Sequence, residues 1–283
     1  MKIVTREKGN KKYFYLKHSY RKNNKIITKE KYLGVEIPKN IKEIESKFAE
    51  EFQKDINTKL ELIKKHFQTE WKRLPKSVKE KELEEISIAF TYNTNAIEGS
   101  TITLEEAREI IHDKISPNKP IREVKEAEAH SKTFLHMLKE KEITNDLLLR
   151  WHKDIFGEIK QDIAGKYRNY LVRVSNYLAP DWQDVNKMMD ELIKFIRNKK
   201  RVNPVELSAR AHYKFEKIHP FGDGNGRIGR LVMNHILWCN GYPMIIIEYK
   251  KRRSYYKALQ KDEDYFVKYF IRRYLAIHKK RIL

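Results

Sequence analysis

The 283-residue chain reads as a mainly α protein carrying two small β pieces. Three observations lead there. Apolar residues recur at steps of three and four over most of the length, cap and stop residues bracket those segments, and strand-like alternation is confined to residues 11–35 and 171–178. With 40% hydrophobic residues and 16 Tyr, 12 Phe and 4 Trp, the chain can bury a core and is not a disordered polymer.

Residues 11–35, KKYFYLKHSYRKNNKIITKEKYLGV, alternate aromatic or β-branched residues with lysines on both sides of KNN, which predicts a hairpin turning at Asn23 and Asn24. From Ile41 to about Leu74, the residues Ile41, Ile44, Phe48, Phe52, Ile56, Leu60, Ile63 and Phe67 mark one face of a long helix, and Pro75 interrupts it. A second helix runs from Ser77 to Gly99; GSTIT then supplies turn chemistry, and Thr103 caps a restart at LEEAREIIHDK. Amphipathic segments follow at about 122–140, 143–158 and 181–199, with a short hairpin at Leu171–Leu178, closed by Pro180, set between two of them. A helix capped by Asn203 begins at Pro204 and carries Leu207, Ala211, Phe215 and Ile218 on one face. The next continues through RIGRLVMNHILWC and stops at Asn240 and Gly241, followed by Pro243. After an apolar run, MIIIEY, the chain ends in helical YYKALQ and YFVKYFIRRYLAIHKK. This organisation is expected to comprise a β appendage over 1–40, a helical region over 41–141 and a core over 142–283.

Sixty Lys and Arg against 39 Asp and Glu leave a formal charge of +21. Such charge admits a polyanionic partner, but Lys-, Ile- and Glu-rich usage spread over the whole length also suits a thermophile's surface, so nucleic acid is permitted and not favoured. Cys239 is the only cysteine, which excludes an intrachain disulfide and a thiolate metal cluster. The start lacks an apolar h-region and no run approaches the roughly 18 apolar residues that span a bilayer, so a cytoplasmic protein without membrane contact is expected.

The chain's 10 glycines are concentrated in one place: KIHPFGDGNGRIGR, residues 217–230, holds four of them. Its GNGRIG satisfies G-x-G-x-x-G, and Glu248 lies 22 residues beyond Gly226, as in a dinucleotide site. That site needs a hydrophobic strand entering the first glycine, whereas the entering segment, ELSARAHYKFEKIHPF, has helical period. A helix, an anion-binding turn and a second helix fit better. Gly224, Asn225 and Gly226 can take positive φ and converge their N–H groups at a helix N-terminus, where the dipole favours phosphate. Arg227 and Arg230 share a helix face and can grip phosphate oxygens. Asp223 either caps the helix or holds Mg²⁺, and His219 either bonds the preceding helix's last carbonyls or acts as a general base with a pKa near neutrality. This set suits transfer of a nucleotide or phosphoryl group to a protonated nucleophile.

HPFGDGNGRIGR resembles the Fic motif H-x-F-x-D/E-G-N-G-R-x-x-R at every defining position. The resemblance extends to LHMLKEKEITNDLLLRWHKDIFG, to AGKYR and the hairpin after it, and to LWCNGYPMIIIEYKKRRSYYKALQ, covering roughly residues 90–275 and leaving residues 1–75 outside. It implies a Fic-type helical core with a small β-hairpin flap, and a protein adenylyltransferase in which His219 deprotonates a Ser, Thr or Tyr hydroxyl that attacks the α-phosphate of ATP. Asp223 would bind Mg²⁺, Gly224, Asn225, Gly226 and Arg227 the phosphates, and Arg230 the γ-phosphate; Phe221 would anchor the loop in the core. Tyr255 and Tyr256 are candidates for the base pocket. The flap would align the target protein by strand addition. Gly226 favours nucleotidyl over phosphoryl transfer, while KDED, Lys261 to Asp264, departs from relatives that place an asparagine near the adenine.

TNAIEG, Thr94 to Gly99, resembles the family's inhibitory pattern [S/T]-x-x-x-E-[G/N] in the class that carries its inhibitor in the same chain. It implies a Glu98–Arg230 salt bridge that denies Arg230 to the γ-phosphate. The expected partner is a protein of undefined identity, the chain itself included, with room for a homo-oligomer. Two other functions remain: a deAMPylase in which Glu98 positions water, and a nucleic-acid-binding regulator with a vestigial Fic core and the N-terminal hairpin as its nucleic-acid element.

Overall fold

A computed structural model describes residues 1–22, 25–174, 177–198 and 202–282. The expected turn at Asn23–Asn24, the flap tip at Ser175–Asn176 and the Phe52 side chain lie outside the described residues. The chain divides into two compact units, Met1–Lys59 and Leu60–Leu283.

In the first unit the expected hairpin is the β2–β3 pair of a three-stranded antiparallel sheet, β1 (Lys2–Lys8), β2 (Lys11–Lys22) and β3 (Lys25–Gly34), in that order. The extra strand corrects the two-stranded expectation. It pairs from Lys2↔Lys17 to Lys8↔Lys11, and it escapes sequence reading because only Val4 is even half-buried. A bulge between Phe14 and Tyr15 shifts the β2–β3 register. Leu16, Leu33 and Phe48 form this unit's small core, with Phe14, Ile41 and Ile44 around it.

Helix α1 (Ile41–Arg73) begins in the first unit and ends in the second, where Phe67, Trp71 and Trp238 pack ring to ring. Helices α2 (Lys76–Ile97), α3 (Leu104–Arg108) and α4 (Ile121–Met137) share a core of Ile88, Ile102, Ala107, Ile110, Ile111, Val124 and Ala127. Thr103 caps α3 as expected, in a full capping box with Glu106. A π-helical turn, Glu109–Asp113, follows α3 without a sequence signal.

The main core is built by α5 (Asn145–Phe156), α6 (Val185–Arg197), α7 (Pro204–Ile218) and α8 (Asn225–Cys239), with Phe90 and Phe134 joining from α2 and α4. Helix α6 buries Val185, Met189, Leu192, Ile193 and Ile196 at helical spacing. The Asn203 side chain accepts from the Val205 N–H with Pro204 in the first turn, as the sequence indicates. Close approach of α7 and α8 rests on small residues: the Ser208 hydroxyl donates to the Met233 carbonyl at 2.8 Å, and a Cβ on Gly229 would crowd Glu216 and Phe215. After α8, the apolar run is extended but unpaired; buried Asn234 stands in for a strand, donating to Ile245 O at 3.0 Å and accepting from its N–H at 2.8 Å. Helices α9 (Arg252–Leu259) and α10 (Glu263–Ile277) close the unit. The short hairpin is β4 (Arg173–Val174) with β5 (Tyr177–Leu178), exposing Leu171 and Leu178. No described helix is long and apolar enough to cross a membrane.

Candidate active site

Helix α7 ends at His219, which takes a left-handed conformation (φ 51°) while its N–H donates to Phe215 O at 2.9 Å. The chain turns through Pro220 to Asp223 and re-enters a helix at Gly224 (φ 78°). Of Gly224, Asn225 and Gly226 only Gly224 is left-handed, which corrects the expectation of positive φ at all three together. One such residue suffices because α8 starts directly after it, leaving the amides of Asn225, Gly226 and Arg227 as first-turn donors without intrahelical carbonyls. A side chain on Gly224 would overlap the Phe156 ring.

Three buried side chains fix this turn. Asn225 accepts from the Phe221 N–H and donates to the Phe221 carbonyl, both at 2.8 Å, so its amide braces the loop. His152 of α5 stacks on buried Phe221 at 4.0 Å and 9°. Its Nδ1 accepts from the Gly165 N–H at 3.0 Å, so Nε2 carries the proton and donates to Asp223 O at 3.0 Å. Burial pushes His152 down to about 4, keeping it neutral. Arg168 donates from Nε to His219 O at 2.8 Å, from Nη1 to Tyr170 O at 2.9 Å and from Nη2 to Pro180 O at 2.7 Å, tying the loop to both sides of the hairpin. Tyr177 adds a hydroxyl bond to Lys217 O at 2.9 Å.

Within this frame the imidazole of His219 is held below its ordinary pKa of 6.5, first by burial, with the Glu216 carbonyl opposing. It is therefore a neutral base at pH 7. Asp223 remains ionised: burial would raise its pKa, but Lys160, bonded to Oδ2, and the Gly224 N–H, donating to Oδ1 at 2.5 Å, hold it below the usual value. Its side chain is 46% exposed. One exposed carboxylate beside free helix amides suits a Mg²⁺ that arrives with phosphates and keeps its waters. Among the described residues no three His, Cys, Asp or Glu converge on a metal position. The residues thus fit phosphate-borne Mg²⁺, with Lys160 giving up Oδ2, and do not form a protein cage.

The two arginines are both buried and both occupied. Arg227 pairs through Nη1 with Glu126 of α4 and through Nη2 with Asp223 Oδ1 at 3.5 Å, its guanidinium 4.6 Å above the Phe156 ring. Burial pushes Arg227 down to about 10. Arg230, 1% exposed, donates from Nε to Thr94 Oγ1 at 2.5 Å and from Nη2 to Glu98 Oε1 at 2.6 Å and Thr94 O at 3.2 Å. Burial opposes its charge, yet Glu98, with smaller contributions from Tyr255 and Glu216, offsets this and raises the pKa. The Glu98–Arg230 bridge implied by the sequence is present.

Local geometry explains why Thr94, Glu98 and Gly99 occur at that spacing. Helix α2 ends in a two-bond C-terminal motif, in which the Gly99 N–H donates to Ala96 O at 3.1 Å and the Ser100 N–H to Asn95 O at 3.0 Å. Glu98 is the cap residue, and Gly99, at φ 97°, takes the left-handed position that follows it. Thr94, one turn earlier on the same face, meets the guanidinium from the other side. Gly226 completes the fit, because a Cβ there would overlap Glu98 Oε1.

Tyr255 is buried with its hydroxyl 2.7 Å from His212 Nε2, so it packs and lines no open base pocket. Tyr256 is 40% exposed and donates to Ile97 O at 3.4 Å, beside the end of α2. Sequence reasoning assigned no role to His152, Arg168, Lys160 or Glu126. The first two lie within WHKDIFG and AGKYR, stretches that carried the resemblance, whereas Lys160 and Glu126 have no local signal.

Residues 142–237, from the approach to α5 to the end of α8, match the Fic/DOC family model. A protein adenylyltransferase Fic from Nematostella vectensis is 35% identical over 189 residues, 64% of this chain and 44% of that protein; one from Aedes aegypti is 33% identical over 196 residues, 66% and 39% respectively. The chain therefore spans less than half the length of these curated relatives. Residues 134–508 of Fic-1 from Caenorhabditis elegans superpose with a TM-score of 0.69 at 26% identity, covering 84% of this chain and 74% of that one. A Fic family protein from Desulfovibrio desulfuricans gives 0.68 at 26% identity, covering 80% and 73%. With His219, Asp223, the Gly224 turn and both arginines inside the matched span, the chain carries a Fic/DOC family domain over residues 142–237.

Proposed function

We propose that this chain is an autoinhibited protein adenylyltransferase that moves AMP from ATP to a Ser, Thr or Tyr hydroxyl of a protein. The observation that carries the reading is the buried Arg230 fork, held by Thr94 and Glu98 beside the Gly224–Gly226 turn. A permanently charged fork at the N-terminus of α8 is where a terminal phosphate would be bound, and an internal carboxylate now holds that position.

Once Glu98 withdraws, Arg230 would take the γ-phosphate and the amides of Asn225 and Gly226 the inner phosphates, aligning the α-phosphorus for in-line attack. Neutral His219 would accept the proton of the target hydroxyl as its oxygen bonds to the α-phosphorus and the bond to the bridging oxygen breaks, releasing pyrophosphate. Asp223 would hold Mg²⁺, which neutralises charge on the phosphates. The exposed edge at β4–β5 is suited to adding a target strand, and the Arg168 bonds would fix its distance from His219.

The test incubates wild type, Glu98→Gly and Glu98→Gly/His219→Ala with Mg²⁺, lysate and ATP labelled on the α- or the γ-phosphate. Glu98→Gly should label protein roughly tenfold or more above wild type, from α-labelled ATP only. Adding His219→Ala should remove about 10²- to 10⁴-fold of that rate. A folded Glu98→Gly variant that labels no faster than wild type defeats the autoinhibition, and transfer of the γ label defeats nucleotidyl transfer.

A further inference from the structure

The first forty residues hold twelve Lys or Arg and three Glu, and strand pairing sorts part of this charge onto one face. Phe14, Leu16 and Leu33 turn inward to Phe48. Alternation therefore sends Lys2, Arg6, Lys8, Lys11 and Lys17 to the opposite face, as the pairings Lys2↔Lys17, Arg6↔Tyr13 and Lys8↔Lys11 require. One acid answers them there: Glu30 accepts from Arg6 at 2.6 Å and lies 3.5 Å from Lys17. Lys2, Lys8 and Lys11 are exposed and have no acidic partner among the described residues.

We propose that this sheet face binds duplex DNA. Charge complementarity selects a polyanion, and the shape and the tyrosines select which one. Lys2, Arg6, Lys8, Lys11 and Lys17 all lie on the β1–β2 pair, a two-stranded ribbon of the kind that the ~12 Å major groove of B-DNA admits; the deep, narrow major groove of A-form RNA would not admit it. Tyr13, Tyr15 and Tyr32 occupy the same face, but their rings lean on one another at 5.2 and 6.3 Å with tilts of 48° and 40°, and Arg6 covers Tyr15 at 4.8 Å. Ring faces already covered by neighbours are poor platforms for unpaired bases, so single strands gain little here. What the tyrosines do offer is hydroxyls, flanked by cations, for phosphates and base edges. The site lies in the Met1–Lys59 unit, whereas His219 belongs to Leu60–Leu283.

Binding of the full chain to a fluorescein-labelled 20-base-pair duplex is followed by anisotropy between 50 and 300 mM salt, beside a single-stranded 20-mer, duplex RNA and polyglutamate. Lys8→Ala/Lys11→Ala should weaken duplex DNA binding roughly 50-fold at 0.1 M salt and make the slope of log K against log salt shallower by about 2. The control Lys139→Ala/Lys257→Ala, which removes two exposed lysines from the other unit, should leave the slope unchanged. Equal effects of the two pairs would reduce the binding to general polycation attraction and overturn the proposal. So would an unchanged sheet variant, or tighter binding of the single strand, duplex RNA or polyglutamate than of duplex DNA.

Discussion

Glu216 is the residue whose environment is least expected from its position. It lies on α7 one turn before His219, with Oε1 buried and undonated, 3.9 Å from His212 Nε2 and close to Gly229. Burial pushes its pKa up to about 7, against an opposing attraction from Arg230. Unfolded, the same carboxyl titrates near 4.5. Between these values the folded chain binds the additional proton, so stability contributed here falls as pH rises from about 4.5 to 7 and is level above. Glu216→Gln removes the titration. Its melting temperature should match wild type near pH 5 and exceed it at pH 8, by at most ~3 kcal/mol in stability; parallel pH profiles for the two proteins would show that Glu216 ionises freely. None of this was legible in KFEKIHPF, because the cause is packing against α8. Thr94, Glu98 and Arg230 could be read from the sequence, since two motifs named them. Glu126 with Arg227 and Lys160 with Asp223 could not, since partners some 60 to 100 residues apart leave no periodic trace.

At the scale of elements, the end of α2 decides where the Glu98 carboxylate sits. Gly99 adopts φ 97° with no atom within 4 Å of where a Cβ would stand, so a side chain there meets backbone strain and no clash. Gly99→Ala should therefore cost about 1 kcal/mol and loosen the cap, raising protein labelling by the otherwise wild-type chain, while Gly99→Asn, tolerated in left-handed caps, should lie closer to wild type. Urea unfolding and α-labelled ATP measure the two effects; Ala and Asn variants indistinguishable in both would separate Glu98 from its cap. Such ends are the part of the fold that sequence reveals best. Gly99, Thr103, Asn203 and Gly241 act on backbone groups within four residues, so the chemistry is local. Strand β1 is the opposite case: Lys2–Lys8 shows no apolar alternation and is a strand because β2 supplies its partners. The π-helical turn after α3 likewise has no local cause that the residues announce.

For the whole molecule, the two units differ in how much core each encloses. Leu60–Leu283 holds both helical clusters, including Phe134, Trp151, Phe156, Phe215 and Phe221 at full burial. Among its described residues, Met1–Lys59 buries only Leu16, Leu33 and Phe48 under one sheet. Stability follows buried apolar area, and a chain of about 60 residues with so few buried side chains is marginal at best. Cutting before Leu60 severs α1, but its remaining turns keep the stacked Phe67, Trp71 and Trp238. The fragment 60–283 should therefore unfold cooperatively and, carrying Glu98→Gly, label protein as the full-length variant does, while losing the salt-dependent duplex binding assigned to the sheet. Residues 1–59 alone should show little ordered structure by circular dichroism and no cooperative melt. A 60–283 fragment that cannot fold would mean that the first half of α1 is needed by the Leu60–Leu283 unit, and a cooperative melt of 1–59 would mean that the sheet is stabilised by more than the three side chains described as buried in it.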